Sequence, residues 1–219
     1  MLRLLFEKKG RAVWISHLDL MRLFQRAFKR AGLHLKHTQG FNPRPSVSIA
    51  LPLSVGVESS CELLDFELVE EAPSLEEIQE LLNSKLVEGV KVLSVYEGGR
   101  KIRDLSLLHC QVYLEYDNGI PYGAKEGIEA LFQSDRLIVP KKTKSGCQDQ
   151  DLIPMIKSLD VKVNSECLLM LDAIVCCQNP TLNPAQLALA IDLHAPQFKA
   201  DHSRCVRIEV FDAKNEVFR

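Results

Sequence analysis

Between Ser16 and Gly32 apolar residues recur at three- and four-residue steps, with Leu20, Leu23, Phe24, Ala27, Phe28 and Ala31 on one side. That spacing predicts a helix over 17–31. Ser16 and Asp19 form a capping-box-like start, and Gly32 can take the left-handed conformation that ends a helix. Ahead of it Leu2, Leu4 and Phe6 alternate as a strand or half of a hairpin, Lys8-Lys9-Gly10-Arg11 turns, and Ala12 to Ile15 runs apolar into the cap. Behind it Val47, Ile49 and Leu51, then Leu64, Phe66 and Leu68, alternate with small or acidic residues. They predict two antiparallel strands joined through Pro52 to Ser60 with a bend at Gly56. Ser74 caps a second helix whose buried stripe is Leu75, Ile78, Leu81 and Leu82, ending around Glu88-Gly89. Val90, Val92, Leu93 and Val95 follow as a strand. The order is β-α-β-β-α-β.

The second half repeats that order. Leu107 to Tyr116 alternates as a strand, and Pro121 to Gln133 is a helix weakened by Gly123 and Gly127. Arg136 to Pro140 reads as a short strand, Lys141 to Gly146 as a basic loop, and Asp151 to Leu159 as a short helix or an insertion. Cys167 to Cys176 is the most apolar run, a central strand. Asn183-Pro184 opens a helix through His194, and Arg204 to Phe211 alternates as a closing strand. The fold class expected is α+β, two ferredoxin-like β-α-β-β-α-β units with antiparallel sheets, an N-terminal unit over 1–102 and a C-terminal unit over 103–219.

Composition adds an asymmetry. The chain of 219 residues has a net charge of −2, yet residues 1–57 carry ten Lys/Arg against two acids, and residues 58–99 carry two against eleven. A basic segment beside an acidic one sets up a local positive field in a chain too acidic for indiscriminate nucleic-acid binding. No apolar run approaches the roughly 20 residues of a membrane span, and the first ten residues carry charges where a signal sequence needs an apolar stretch. A cytoplasmic protein is expected. Seven cysteines without a paired framework suit a reducing compartment and buried thiols.

The positive charge has a place. Arg22, Arg26, Lys29 and Arg30 lie along the polar face of the first helix, opposed there by Asp19 alone. Such a face is either a solvated surface or a binding one. Gly40-Phe41-Asn42-Pro43-Arg44-Pro45 follows, a loop stiffened by two prolines. A stiff loop loses little entropy on meeting a ligand, so Asn42 and Arg44 can act as preorganised donors and Phe41 as a stacking surface. The alternative is a structural turn with its phenyl ring tucked into the core. The candidate binding residues are therefore Arg22, Arg26, Lys29, Arg30, Lys36, Phe41, Asn42 and Arg44, with Lys141, Lys142 and Lys144 as further cations. No catalytic or metal-ligating residue is assigned. Ser16, His17 and Asp19 are neighbours at a helix start, where a relay is geometrically disfavoured and capping is expected. His34 and His37 follow the helix-ending glycine and share no helical face. Cys176 and Cys177 are adjacent in a strand and point to opposite faces. No phosphate-binding glycine loop occurs.

Several blocks carry a resemblance: Ser16 to Arg22, Arg26-Ala27, Arg30 to Leu33, Gly40 to Pro43 with Pro45, and Ala50 to Ser59. Weaker matches lie at Glu62, Leu64-Asp65, Lys141-Lys142 and Asp151 to Pro154. In them the chain resembles an uncharacterised bacterial family of radical-SAM-associated proteins, encoded beside or fused to a radical SAM protein with a cobalamin-binding-type region. Arg44 stands where a histidine is expected in relatives. The same opening is more loosely similar to that of CRISPR repeat-processing endoribonucleases, an analogy of fold only. The chain has no three cysteines within ten residues and cannot itself hold a radical SAM cluster. The resemblance implies a non-catalytic accessory protein that binds no cofactor of its own. Its partner would carry the iron–sulfur cluster and S-adenosylmethionine; the resemblance assigns no reaction, and it is the basic surface and the flat sheets expected of the fold that point to recognition or modification of RNA, tRNA or rRNA. The alternatives are a metal-independent RNA-processing enzyme using His17 or His37, and a purely structural adaptor.

Overall fold

The structure, a computed structural model, describes residues 1–69, 73–143 and 146–219, and for residues 142 and 143 the backbone only. It is a mixed α+β chain in two compact units, Met1–Ile102 with Arg219, and Arg103–Phe218.

In the first unit the elements run β1 (Leu2–Lys8), a 3-10 turn (Gly10–Trp14), α1 (His17–Arg30), β2 (Val47–Ile49), β3 (Glu58–Phe66), α2 (Leu75–Asn83) and β4 (Val90–Glu97). The strands form an antiparallel sheet in the order β4-β1-β3-β2. Register places Leu4 between Leu64 and Val95, so alternate residues of three strands line one face. Onto that face fold Leu20, Phe24 and Phe28 of α1 and Ile78 and Leu82 of α2, all fully buried. Phe6 meets Phe24 edge-on at 4.7 Å between ring centroids, and Phe28 meets Phe66 at 4.8 Å. Each such side chain contributes about 1.5–3 kcal/mol on burial, which outweighs the modest helix propensity of phenylalanine. On the other face Arg3 is fully buried and grips Asp65 through two bonds, Nε to Oδ1 at 2.6 Å and Nη2 to Oδ2 at 3.0 Å.

Two boundaries differ from the periodicity. β3 begins at Glu58, six residues before the alternation does, because Cys61 to Phe66 are buried on both sides of the sheet and need not alternate. α2 stops at Asn83, whose amide replaces the helix ladder by exchanging hydrogen bonds with the backbone of Val92, at 2.8 and 2.9 Å.

The second unit runs β5 (Leu105–Glu115), α3 (Ala124–Phe132), β6 (Ile138–Thr143), β7 (Gly146–Asp151), β8 (Ile156–Ser165), β9 (Leu168–Cys176), α4 (Ala185–His194) and β10 (His202–Asp212). Its sheet is antiparallel in the order β10-β5-β9-β8, the same permutation as in the first unit. One element of the sequence reading is corrected. The run 136–140 does not enter this sheet; β6 pairs only with β7, as a separate two-stranded ribbon. The sheet strand is instead β8, drawn in part from residues expected as a short helix or insertion. β8 is an edge strand with Val161 buried and most other positions exposed, so its sequence lacks the apolar alternation that marks a half-buried strand. Helix α3 starts after Gly123, which caps it at φ +73°, and so does not contain that glycine. Among the described residues no helix is long and apolar enough to cross a membrane.

Candidate functional site

Helix α1 is set by its cap. Ser16 Oγ accepts from the Asp19 backbone N–H at 3.2 Å and donates to the Asp19 carboxylate at 2.7 Å. The Ser16 hydroxyl, with the Arg22 guanidinium, holds the Asp19 carboxyl below its ordinary range. Asp19 is thereby engaged on two sides. It is no relay partner for His17, whose buried Nδ1 has no hydrogen-bond partner.

With the apolar stripe facing the sheet, the cations face solvent. Arg22, Arg26, Lys29 and Arg30 are all exposed. They are not equivalent. Arg22 spends its charge on Asp19 at 2.9 Å and Lys36 on Glu67 at 3.4 Å. Arg26, Lys29 and Arg30 have no ion-pair partner among the described residues. The helix stands as a ridge between two open grooves that share Arg22 and Arg26. One, of about 610 Å³, is closed on its far side by His34, His37 and Pro45; the other, of about 520 Å³, by Lys85 and Val87.

The proline loop rises beside the first groove. Its base is laced as a miniature hairpin: Ser46 N donates to Lys36 O at 2.6 Å, Thr38 N to Arg44 O at 2.8 Å, and Arg44 N to Thr38 Oγ1 at 3.1 Å. His37 and Pro45 face each other as an isolated antiparallel bridge. Arg44 takes part in this lacing through its backbone, its side chain is exposed with those of Phe41 and Asn42, and Phe41 is 104% exposed. The phenyl ring is therefore presented to solvent and does not anchor the turn. The structure places all eight candidate binding residues, Arg22 to Arg44, on α1 and the segment that follows it. Lys141 belongs to the second unit, where its ammonium donates to the Thr181 carbonyl at 2.9 Å. Lys144 and the side chain of Lys142 lie outside the described residues.

Two features escaped the sequence. Trp14 is 72% exposed at the end of the 3-10 turn, within the apolar run that leads into the helix cap. The second is a polar network on the solvent-facing side of the second sheet. There Asp172 on β9 accepts from His109 on β5, from Lys162 on β8 at 3.0 Å and from Gln111 at 3.5 Å. Burial alone would raise the Asp172 carboxyl, but the bonds from His109 and Lys162 outweigh it and hold it low; the same contact raises Lys162. Tyr113 donates to Gln111 at 2.7 Å and lies 3.8 Å under the Arg204 guanidinium, which reaches Glu115 at 3.2 Å. The alternation of His109, Gln111, Tyr113 and Glu115 in one strand was a legible signal of this row.

Burial favours the protonated, weakly nucleophilic form of three thiols, pushing Cys110 and Cys177 up to about 12 and Cys205 to about 11. No group of three His, Cys, Asp or Glu side chains suited to a metal ion occurs among the described residues.

Among solved structures, a chain of the Cbf5-Nop10-Gar1 complex aligns with 97% of this chain at 8% identity and a TM-score of 0.49. This chain spans 50% of that one. An unknown protein from Galdieria sulphuraria aligns over 94% of this chain and 96% of its own at 14% identity and a TM-score of 0.27. Neither likeness is strong enough to carry an argument about fold or function. No curated protein matches. Residues 1–184 match the family described as "Uncharacterized protein conserved in bacteria (DUF2344)", and the chain belongs to that family.

Proposed function

We propose that this chain is a non-catalytic accessory protein of two ferredoxin-like units that works in the cytoplasm beside a radical SAM protein and helps hold an RNA substrate. The observation that carries the reading is the trio Arg26, Lys29 and Arg30, exposed on one ridge and without a carboxylate partner among the described residues. Arg22, Lys36, Asn42 and Arg44 sit around that ridge. In a chain of net charge −2 this ridge concentrates positive field, and the grooves on its flanks give a phosphate backbone somewhere to lie. Arg44 and Asn42 add donors on a laced loop and Phe41 a stacking face, which is how a protein without base-specific grooves contacts unpaired RNA. The strand order 4-1-3-2 in each unit supports the ferredoxin-like assignment. Cofactor chemistry, the iron–sulfur cluster and S-adenosylmethionine, would belong to the partner.

The test is co-purification of the tagged chain with the radical SAM protein, followed by sequencing of the RNA retained at about 0.1 M salt. Joint recovery of partner and a defined RNA is expected. Recovery of the partner with no RNA would leave only an adaptor. A purified chain that cleaves RNA alone, and loses cleavage but not binding in His17→Ala or His37→Ala, would make it an enzyme instead.

A further inference from the structure

We propose that Trp14 is a base-stacking residue and that the ligand of the α1 ridge is single-stranded RNA, running from Trp14 along the helix towards the Phe41 loop. This rests on the RNA reading above and names its substrate class.

The case begins with how Trp14 is held. An exposed tryptophan on a flexible segment would fold its ring onto the nearest apolar surface, yet this one is 72% exposed on a turn that is locked from several sides. Lys8 is fully buried, and its ammonium donates to the carbonyls of Val13 and Ile15, both at 3.1 Å, the residues on either side of Trp14. Gly56 N donates to Val13 O at 2.9 Å, and Lys9 N to Gly89 O at 2.8 Å. Gly89 lies so close that a Cβ there would come 2.4 Å from the Lys9 carbonyl. A buried ammonium is costly to desolvate, and here it holds the backbone on both sides of an outward-pointing indole. The ring is preorganised for an external partner.

The surroundings select that partner. Leu18, the second residue of α1, is 66% exposed, and Arg22 and Arg26 follow it at four-residue steps along the helix. Trp14 stands two residues before the Ser16 cap, so an aromatic precedes this cationic row in the chain, and Phe41 stands on the laced loop that follows the helix. Stacking surfaces with a basic track between them match a chain of unpaired bases on phosphates. A duplex has its bases stacked already and offers no face to an indole. The 14 residues of α1 span about 21 Å, the length of a short oligonucleotide.

Trp14 is the chain's single tryptophan, so its emission reports on this site alone. Titration with an unstructured RNA of about eight nucleotides should quench it, whereas the same sequence annealed to its complement should not. Affinity measured by anisotropy should fall roughly 5- to 100-fold in Trp14→Ala and be largely retained in Trp14→Phe. Far-UV melting should show both variants folded, because the side chain is exposed. RNA binding with Trp14 emission unchanged, or with Trp14→Ala as tight as the parent chain, overturns the stacking role and leaves the RNA reading standing. Equal quenching by the duplex overturns single-strand selectivity. Loss of the radical SAM protein from Trp14→Ala at unchanged RNA affinity makes Trp14 a protein contact and overturns the proposal. No RNA binding by any form removes both readings together.

Discussion

Replacing Arg26 and Lys29 by alanine together should flatten the salt dependence of RNA binding. On single strands each neutralised phosphate contributes about −0.7 to the slope of log K against log salt. Arg22 and Lys36 already face carboxylates at 2.9 and 3.4 Å, so their charges are partly satisfied before any ligand arrives. Arg26, Lys29 and Arg30 have no such partners among the described residues, and three full contacts give a slope of about −2. Affinity should then fall about 20-fold between about 50 mM and about 200 mM salt. With only Arg30 left, the slope becomes about −0.7 and the fall about threefold. The assay is fluorescence anisotropy of a labelled unstructured RNA across that range. Arg22→Ala with Lys36→Ala serves as the matched control, removing two charges of the same sign and changing the slope by less. Both changed residues are solvent-exposed on a helix and alanine is the better helix former, so misfolding does not confound the comparison. If the double variant keeps the parent slope, or the control flattens it more, the phosphates do not lie along the α1 ridge.

Ser16→Ala should cost about 1 kcal/mol through loss of the bond to the Asp19 N–H, read as a lower melting temperature; an unchanged melt would show that Ser16 does not cap α1. Asp65→Ala removes the carboxylate that the fully buried Arg3 guanidinium grips and should cost about 3–5 kcal/mol in urea unfolding, and a loss under about 1 kcal/mol would contradict the buried pair. Gly127→Ala should destabilise by about 1–3 kcal/mol despite better helix propensity, because the added Cβ would meet the Phe198 ring at 2.1 Å; a higher melting temperature would show that the ring can move away. The Asp172 carboxyl is held below its ordinary 3.8, so its unfolded form takes up protons first: its stabilisation is full above that value and is lost as pH falls through the lower folded one. Asp172→Asn should therefore weaken the fall in stability in that acidic window, and an identical acid limb in both proteins would refute it.

The features that could be read along the chain are those written in short-range spacing. Helix α1, its Ser16 cap and its buried stripe follow from three- and four-residue steps. The cationic face follows from the same steps, and the stiffness of the Gly40–Pro45 loop from two prolines. The β-α-β-β-α-β order of the first half was equally legible, since its helices and most of its strands are buried on one side only. Where burial is two-sided, as at Cys61 to Phe66, or nearly absent, as along β8, periodicity carries no signal. There the spacing does not mark the strand boundaries, and 136–140 reads as the sheet strand that 156–165 supplies.

What only the tertiary structure decided concerns partners far apart in sequence. That Arg22 meets Asp19 is visible three residues away, but that Lys36 meets Glu67 is not, and the distinction between satisfied and unsatisfied cations depends on it. His109 and Asp172 are joined by strands paired across 63 positions. Trp14 sits in an apolar run whose spacing does not say which side chain faces water; it is 72% exposed on a turn whose carbonyls are held by a lysine six residues earlier that turns inward. Local spacing determines which face of an element is apolar. Which polar groups find each other, and which aromatic is left facing water, is settled when the elements pack, because electrostatic pairing and solvent exposure depend on distance in space and not along the chain.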